Sequence, residues 1–241
     1  MYSRKNIIDE VRLHVNKIDQ LYKCRIINYL GKTADTNELF TEVIAKELLE
    51  LDIVNRLDNI QEVEREKGYR VATHDGVITT GHDEKDSKRK EERFAVQLFN
   101  LSKDGKVFNH IGKIVDYQIP LKNSNADIGL GKIDLISVLN EHIYLIELKI
   151  KGNKETLLRC ILEIATYYQV LSKSKFLTSY LNEFGTEKSI TKAILIVNDS
   201  VQYKEMVELR NGERNYLKRL IDALEMQVFY IDSESLVVQK I

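Results

Sequence analysis

Asp134, Glu147 and Lys149 are the residues of this chain whose types and spacing point to chemistry. Asp134 lies in Gly131-Lys132-Ile133-Asp134-Leu135-Ile136, and the other two lie in Ile143-Tyr144-Leu145-Ile146-Glu147-Leu148-Lys149-Ile150. Both runs are short, apolar and β-rich, so each reads as a buried strand. Side chains alternate faces along a strand, so Glu147 and Lys149 point the same way. A charge buried without a partner is costly. Two core-like strands therefore aim two carboxylates and an ammonium at one spot. Two carboxylates can hold a hard divalent cation. A lysine beside them can orient a water and stabilise developing negative charge. Those parts suit metal-assisted hydrolysis of a phosphodiester. The same residues also admit a plain reading: a solvent-facing Glu147–Lys149 ion pair on an edge strand, with Asp134 at a strand start.

The elements that must position these residues follow a regular order from Lys88 onward. A helix is expected over 88–102 and a strand over 112–121, ending near Pro120, the only proline. A loop with Asn123, Asn125, Asp127, Gly129 and Gly131 leads into the Asp134 strand. A tight turn at Asn140-Glu141 joins it to the Glu147 strand. A helix from Thr156 to about Leu171 comes next, with Leu157, Leu158, Ile161, Leu162, Ala165 and Tyr168 on one face. Ile194-Leu195-Ile196-Val197 reads as a fully buried strand. A helix over 202–225 and short strands at 228–231 and 236–238 close the chain. Helix, three strands, helix, strand is an α/β sandwich order with a mixed sheet.

Ahead of this core, residues 5–30 read as one long helix, with Ile8, Val11, Val15, Ile18 and Tyr22 at spacings of three and four. Thr36 and Asn37 are candidate caps for a second helix carrying Leu39, Phe40, Val43, Ile44, Leu48 and Leu49. The charged stretch 55–67 reads as a solvated helix end. Asp75-Gly76, flanked by Val71, Val77 and Ile78, predicts a hairpin within 69–80. The polar stretch 81–90 is the candidate boundary. The expected division is a mainly helical extension over 1–84 and a catalytic-type domain over 85–241.

At this point the residues resemble a known family. The helix, the strand with Asp134, the strand with Glu147-Leu148-Lys149 and the following helix are similar to the PD-(D/E)XK nuclease superfamily over about 88–200. The resemblance implies a restriction-endonuclease-like α/β core: a central mixed sheet flanked by helices. It implies a divalent-metal-dependent nuclease acting on DNA, in restriction, repair or defence against mobile elements. Asp134 and Glu147 would ligate Mg2+ or Mn2+, with the Leu148 carbonyl completing the shell, and Lys149 would position the attacking water. A glutamate of the first helix often joins such sites. Glu91 and Glu92 compete for that role, and Glu91 lies nearer the centre of the face made by Phe94, Ala95, Leu98 and Phe99. Ile133 stands where the family has proline. The Gln-x-x-x-Tyr mark of recombination-type members is missing, since Lys173 stands four residues after Gln169. Gln169 still reads as inward-facing and supporting. Asp followed by Glu-x-Lys is weak alone in a chain with 30% charged residues. Its weight comes from the apolar strands, the short turn and the helix directly after.

Other features bound the reading. The formal net charge of −1 over 241 residues carries no global basic signature, so a nucleic-acid ligand needs a local basic patch. Lys132 and Lys151 are candidate phosphate contacts, with Lys113, Lys122 and Lys154 also flanking the expected site. Cys24 and Cys160 form no zinc motif and read as buried free thiols in a reducing compartment. His14, His74, His82, His110 and His142 are scattered and read mostly as surface residues. Arg159 and Glu163 read as an outer-face ion pair. The N-terminus leads into an amphipathic pattern rather than an apolar signal core. No apolar run approaches membrane-spanning length. A cytoplasmic protein is expected, with no membrane contact. The N-terminal helices are a candidate homodimer surface. The alternative to an enzyme is a catalytically inactive member of the same fold that binds nucleic acid or protein.

Overall fold

The apolar periodicities resolve into a single sheet with helices on both faces. The computed structural model describes residues 2–63, 65–74, 90–123, 130–185 and 188–241. The N-terminal third contains α1 (Arg4–His14), 3-10 turns at Ile18–Lys23 and Arg25–Asn28, α2 (Phe40–Glu50) and α3 (Ile53–Asp58). The remainder runs α4 (Lys90–Lys103), β1 (Lys113–Pro120), β2 (Lys132–Leu139), β3 (His142–Lys149), α5 (Leu157–Val170), α6 (Lys173–Ser179) and α7 (Leu181–Phe184). It ends with β4 (Ser189–Val197), α8 (Val201–Arg210), α9 (Asn215–Ala223), β5 (Gln227–Ile231) and β6 (Val238–Lys240). Among the described residues six strands form one sheet, in sequence order. β1, β2 and β3 are mutually antiparallel, β3, β4 and β5 are parallel, and β6 returns antiparallel. The parallel joins are made by helical crossovers, as they must be. This is the expected α/β architecture with a mixed sheet.

Two apolar layers sandwich the sheet. Ile143, Leu145, Ile194 and Ile196 face α5 and the N-terminal third, sharing one core with Ile7, Val11, Ile44, Leu48, Leu158 and Ile161. Tyr144, Ile146, Leu148, Leu195 and Phe229 face the other way, toward Ala95, Leu98 and Phe99 of α4. The apolar stripe of the N-terminal helices is thus buried against the sheet layer of its own chain.

Several local expectations change. The long helix over 5–30 stops at His14, because Lys17 leaves helical geometry (φ −110°, ψ 63°). Leu21-Tyr22 and Ile26-Ile27 are buried as adjacent pairs five residues apart, a spacing that one α-helical stripe does not serve. Thr36 and Asn37 form a turn, with Asn37 at φ 56°, and Leu39 stands at the start of α2 instead. The stretch 55–67 is not all solvated: Arg65 is buried and donates to the Pro120 and Lys122 carbonyls, both at 2.6 Å. The expected helix over 202–225 is two helices, broken where Gly212 takes φ 79° after α8. His74 is not a surface residue. It stacks on Tyr117 at 3.7 Å and meets Asp116 Oδ1 at 2.6 Å. The expected hairpin turn at 75–76 and the boundary stretch 81–89 lie outside the described residues.

Arg214, at the start of α9, ties three helices together. Its guanidinium lies 2.9 Å from Glu205 and 2.6 Å from Glu208 of α8, and it also donates to Thr41 Oγ1 of α2. Arg214 and Glu205 are both nearly fully buried. Arg214→Ala strands the Glu205 carboxylate without its cation, which should cost about 3–5 kcal/mol of stability. Urea denaturation of the variant beside the parent measures this.

Candidate functional site

The hairpin of β2 and β3 builds the site by coming apart at one end. The ladder pairs Leu139 with His142 through to Leu135 with Ile146. Beyond it the backbones diverge, and the Leu148 N–H donates to Asp134 Oδ2 at 2.9 Å instead of to a carbonyl. Gln118 of β1, at φ 49°, donates its side-chain amide to Asp134 Oδ1 at 2.8 Å. Asp134 shares the face of Ile136, and Glu147 and Lys149 share the face of Ile143 and Leu145. Those three apolar residues belong to the same layer, the one under α5. The carboxylates of β2 and β3 are therefore on one sheet face.

β3 is not an edge strand: it pairs with β2 on one side and β4 on the other. Glu147 is 3% exposed and Lys149 5%. Lys149 Nζ lies 2.5 Å from Glu147 Oε1, 3.0 Å from Glu155 Oε2 and 3.9 Å from Glu91 Oε1. The second oxygen of Glu147, Oε2, is buried with no hydrogen-bond partner. Glu91 reaches the cluster from the first turn of α4, held by Asn153 Nδ2 at 3.1 Å. Glu92 follows it on the same helix, partly buried.

α5 closes the site over the sheet face that the carboxylates share. Thr156 caps it, its Oγ1 accepting from Arg159 N at 3.1 Å. Arg159 Nε lies 2.8 Å from Glu155 and 3.9 Å from Glu163. Glu163 Oε1 accepts the Tyr167 hydroxyl at 2.8 Å. That hydroxyl presses on the entrance to β2, where a Cβ on Gly131 would stand 2.0 Å from it. Glycine at 131 is what lets the strand and the tyrosine coexist.

The charges interact strongly. Burial raises the carboxyl of Asp134 to about 7, against the lowering pull of Lys149 and of the Leu148 N–H. Burial also raises Glu147 well above the usual carboxylate range, although Lys149 opposes it. Glu91 moves up for the same reason. Burial works against the Lys149 charge, but Glu147 and the surrounding acids outweigh it and hold the ammonium protonated. The Cys160 thiol, also under the cluster, is pushed up by burial and is an inert packing group.

A divalent metal is implied by the resemblance, and the donor chemistry fits one. The donors are hard carboxylate oxygens, and Glu147 Oε2 is buried without a partner. Among the described residues no group of three or more His, Cys, Asp or Glu side chains forms a ready-made cage. Magnesium in particular is commonly held by one or two carboxylates, with waters and substrate completing its shell. Within a strand the N–H and C=O of one residue point to the same edge, so the Leu148 carbonyl faces the gap beside Asp134.

Other expected residues lie elsewhere. Gln169 donates to Asp58 Oδ1 of α3 at 2.6 Å and does not support the site. Helix geometry accounts for this: Gln169 is two residues past Tyr167, about 200° further round the helix. Glu163 is not an outer-face residue but is buried in the cluster. Lys113 does not flank the site. It pairs with Val138, at the opposite end of the hairpin. Lys122, Lys132, Lys151 and Lys154 are exposed on the loops and strand ends nearby. Glu155, Asn153 and Tyr167 were not anticipated. Glu163 and Tyr167 carried a signal, two polar groups four apart inside an otherwise apolar helix. Comparison with family models, with curated proteins and with solved structures finds no match.

The raised Asp134 carboxyl has a thermodynamic consequence. Its ordinary value is 3.8 and its folded value is about 7. Between those values the folded state holds a proton that the unfolded chain releases. The contribution is therefore fully present below about pH 4 and is lost as pH rises through 7. Asp134→Asn should flatten the decline in metal-free stability between pH 4 and 7, read from melting temperatures across that range.

Proposed function

We propose that this chain is a divalent-metal-dependent nuclease of the PD-(D/E)XK type, hydrolysing phosphodiester bonds in nucleic acid, DNA foremost. The observation that carries the reading is the meeting of Asp134, Glu147 and Lys149 on one sheet face, with a partnerless Glu147 oxygen buried among them. The mixed sheet with helices on both faces accords with a restriction-endonuclease-like core.

In this reading Asp134 and Glu147 hold Mg2+ or Mn2+, with the Leu148 carbonyl as a third donor. When bound, such a cation supplies Lewis-acid polarisation of a phosphoryl oxygen and a more acidic water. The chain's own groups do the rest. The Leu148 N–H and the Gln118 amide fix the Asp134 carboxylate, so its orientation is set before a ligand arrives. Lys149 orients the attacking water and meets negative charge as it develops on the phosphorus oxygens. Glu91 and Glu155 hold the ammonium in place from two sides. Asn153 bonds both of those glutamates, at 3.1 and 3.5 Å, and so couples α4 to the start of α5.

A second reading, an inactive binding module, draws on one observation. Lys149 already has three carboxylate neighbours and needs no substrate for neutralisation. The two readings part on mutation. Lys149→Ala should lower cleavage by at least about a hundredfold while manganese binding persists, because an ammonium ligates no metal. Asp134→Ala should lose both. Manganese calorimetry beside cleavage of plasmid, linear and single-stranded substrates is the test. A parent protein that neither binds manganese nor cuts any of them belongs to the second reading.

A further inference from the structure

Next to the carboxylate cluster an open groove of about 320 Å3 runs between α4 and the ends of two parallel strands. Lys90, Arg93 and Phe94 of α4 form one wall. Ile150 and Lys151, just past β3, and Val197, the last residue of β4, form the other. In open α/β sheets the carboxyl ends of parallel strands are where ligands sit. The groove adjoins the site along the chain, since Lys90 precedes Glu91 and Ile150 follows Lys149, while its walls are made by residues outside the carboxylate cluster.

Its charge differs from that of the molecule. The chain carries a formal −1, yet among the described residues the groove is lined by two lysines and an arginine and by no acidic residue. Lys151 has Asp199 3.8 Å away, but both side chains are more than two-thirds exposed, so that contact neutralises little. Arg93 is the decisive residue. Its Nε and Nη2 are buried with no hydrogen-bond partner. Guanidinium nitrogens withdrawn from water without an acceptor are costly, and an anion is one group that would supply the acceptor. The planar fork suits two phosphate oxygens at once. Phe94 beside it, half-buried, puts an aromatic ring in the groove wall, and aromatic rings are what unstacked bases stack on.

We propose that this groove takes the sugar-phosphate backbone of a single nucleic-acid strand, and this deepens the nuclease reading on which it rests. Arg93 grips a phosphate, Lys90 and Lys151 meet its neighbours, and Phe94 carries a base. A strand held there runs along α4 and past the end of β3, beside the segment that carries Lys149.

The test is fluorescence anisotropy of a labelled oligothymidine strand with the full chain in EDTA, over a salt series from about 50 to 200 mM. Three phosphate contacts on a single strand give a slope of log affinity against log salt of about −2. In Lys90→Ala/Lys151→Ala, at two exposed positions, the slope should fall in magnitude by about 1.4 and affinity at low salt should drop about tenfold or more. Arg93→Gln should weaken binding by a similar factor with an unchanged circular dichroism spectrum. If that variant misfolds, the double lysine variant alone decides. No strand binding by the parent overturns the proposal, as does unchanged affinity and slope in the lysine variant. Tighter binding of the matching duplex overturns the single-strand assignment. Displacement by inorganic phosphate as effective as by unlabelled strand would make this a free-anion site and overturn it as well. Cleavage by the parent, assayed separately, keeps the two ideas apart. Cleavage with unaltered strand binding in the groove variants removes the groove and leaves the nuclease. Strand binding lost in those variants, with no cleavage by the parent, removes the nuclease and leaves the groove.

Discussion

An ammonium buried in the middle of a sheet must be surrounded by acids, and Lys149 imposes that requirement on everything near it. Its strand, β3, is covered by β2 and β4 and by helices on both faces, so no solvent is at hand to carry the charge. The compensation arrives from four places: Glu147 two residues back on the same strand, Asp134 on β2, Glu91 on α4 and Glu155 ahead of α5. Each of these segments is thereby fixed relative to the others. Burial drives Asp134 and Glu147 upward despite Lys149, and the neighbouring acids add to the rise. A cluster with surplus carboxylate in low dielectric is stabilised by protons or by a cation.

The start of α5 is where this arrangement depends on the N-terminal third. Thr156 donates its backbone N–H to Asn28 Oδ1 at 2.7 Å and its hydroxyl to the Ile27 carbonyl at 2.8 Å. The Leu157 N–H donates to Glu205 Oε2 at 2.6 Å, and Glu205 is itself held by Arg214. Free N–H groups at a helix N-terminus are thus satisfied by two remote parts of the chain. Glu155 sits immediately before that clamp, and Gln202 of α8 donates to its carbonyl at 2.6 Å. The N-terminal segment does more than cover an apolar face. It sets where the acid next to Lys149 stands.

Legibility in the sequence followed the range of the interactions. β2, β3, their Asn140-Glu141 turn and α5 were readable, because alternation, a polar two-residue break and a helical stripe are local patterns. The shared face of Glu147 and Lys149 followed from strand parity alone. What failed depended on distant partners. Gln169 was placed on the inward side of its helix from the helical pattern, but Asp58, over a hundred residues earlier, claims it. Glu163 looked like half of a surface pair because Arg159 is four residues away. The Tyr167 hydroxyl and the packing of α5 on the sheet bury it instead. The break between α1 and the 3-10 turns was set by which residues the sheet layer could bury, not by any proline or glycine.

On the proposed reading a nearly neutral protein must handle a polyanion, and the partition of charge here accords with that. Screening at physiological salt reduces exposed charges to a reach of about 8 Å, so the total matters less than what lies within that radius. The acids of the cluster are tucked between α4, β3 and α5, where Lys149 and Arg159 partly offset them. Lys90 and Lys151 are exposed along the adjoining groove, with the half-buried Arg93 in its wall. A phosphate approaching the groove meets positive charge first. The carboxylates lie outside the groove wall, and on the proposed reading a divalent cation between them would offset their charge. Metal loading and strand entry would then reinforce each other, since each supplies charge that the other lacks.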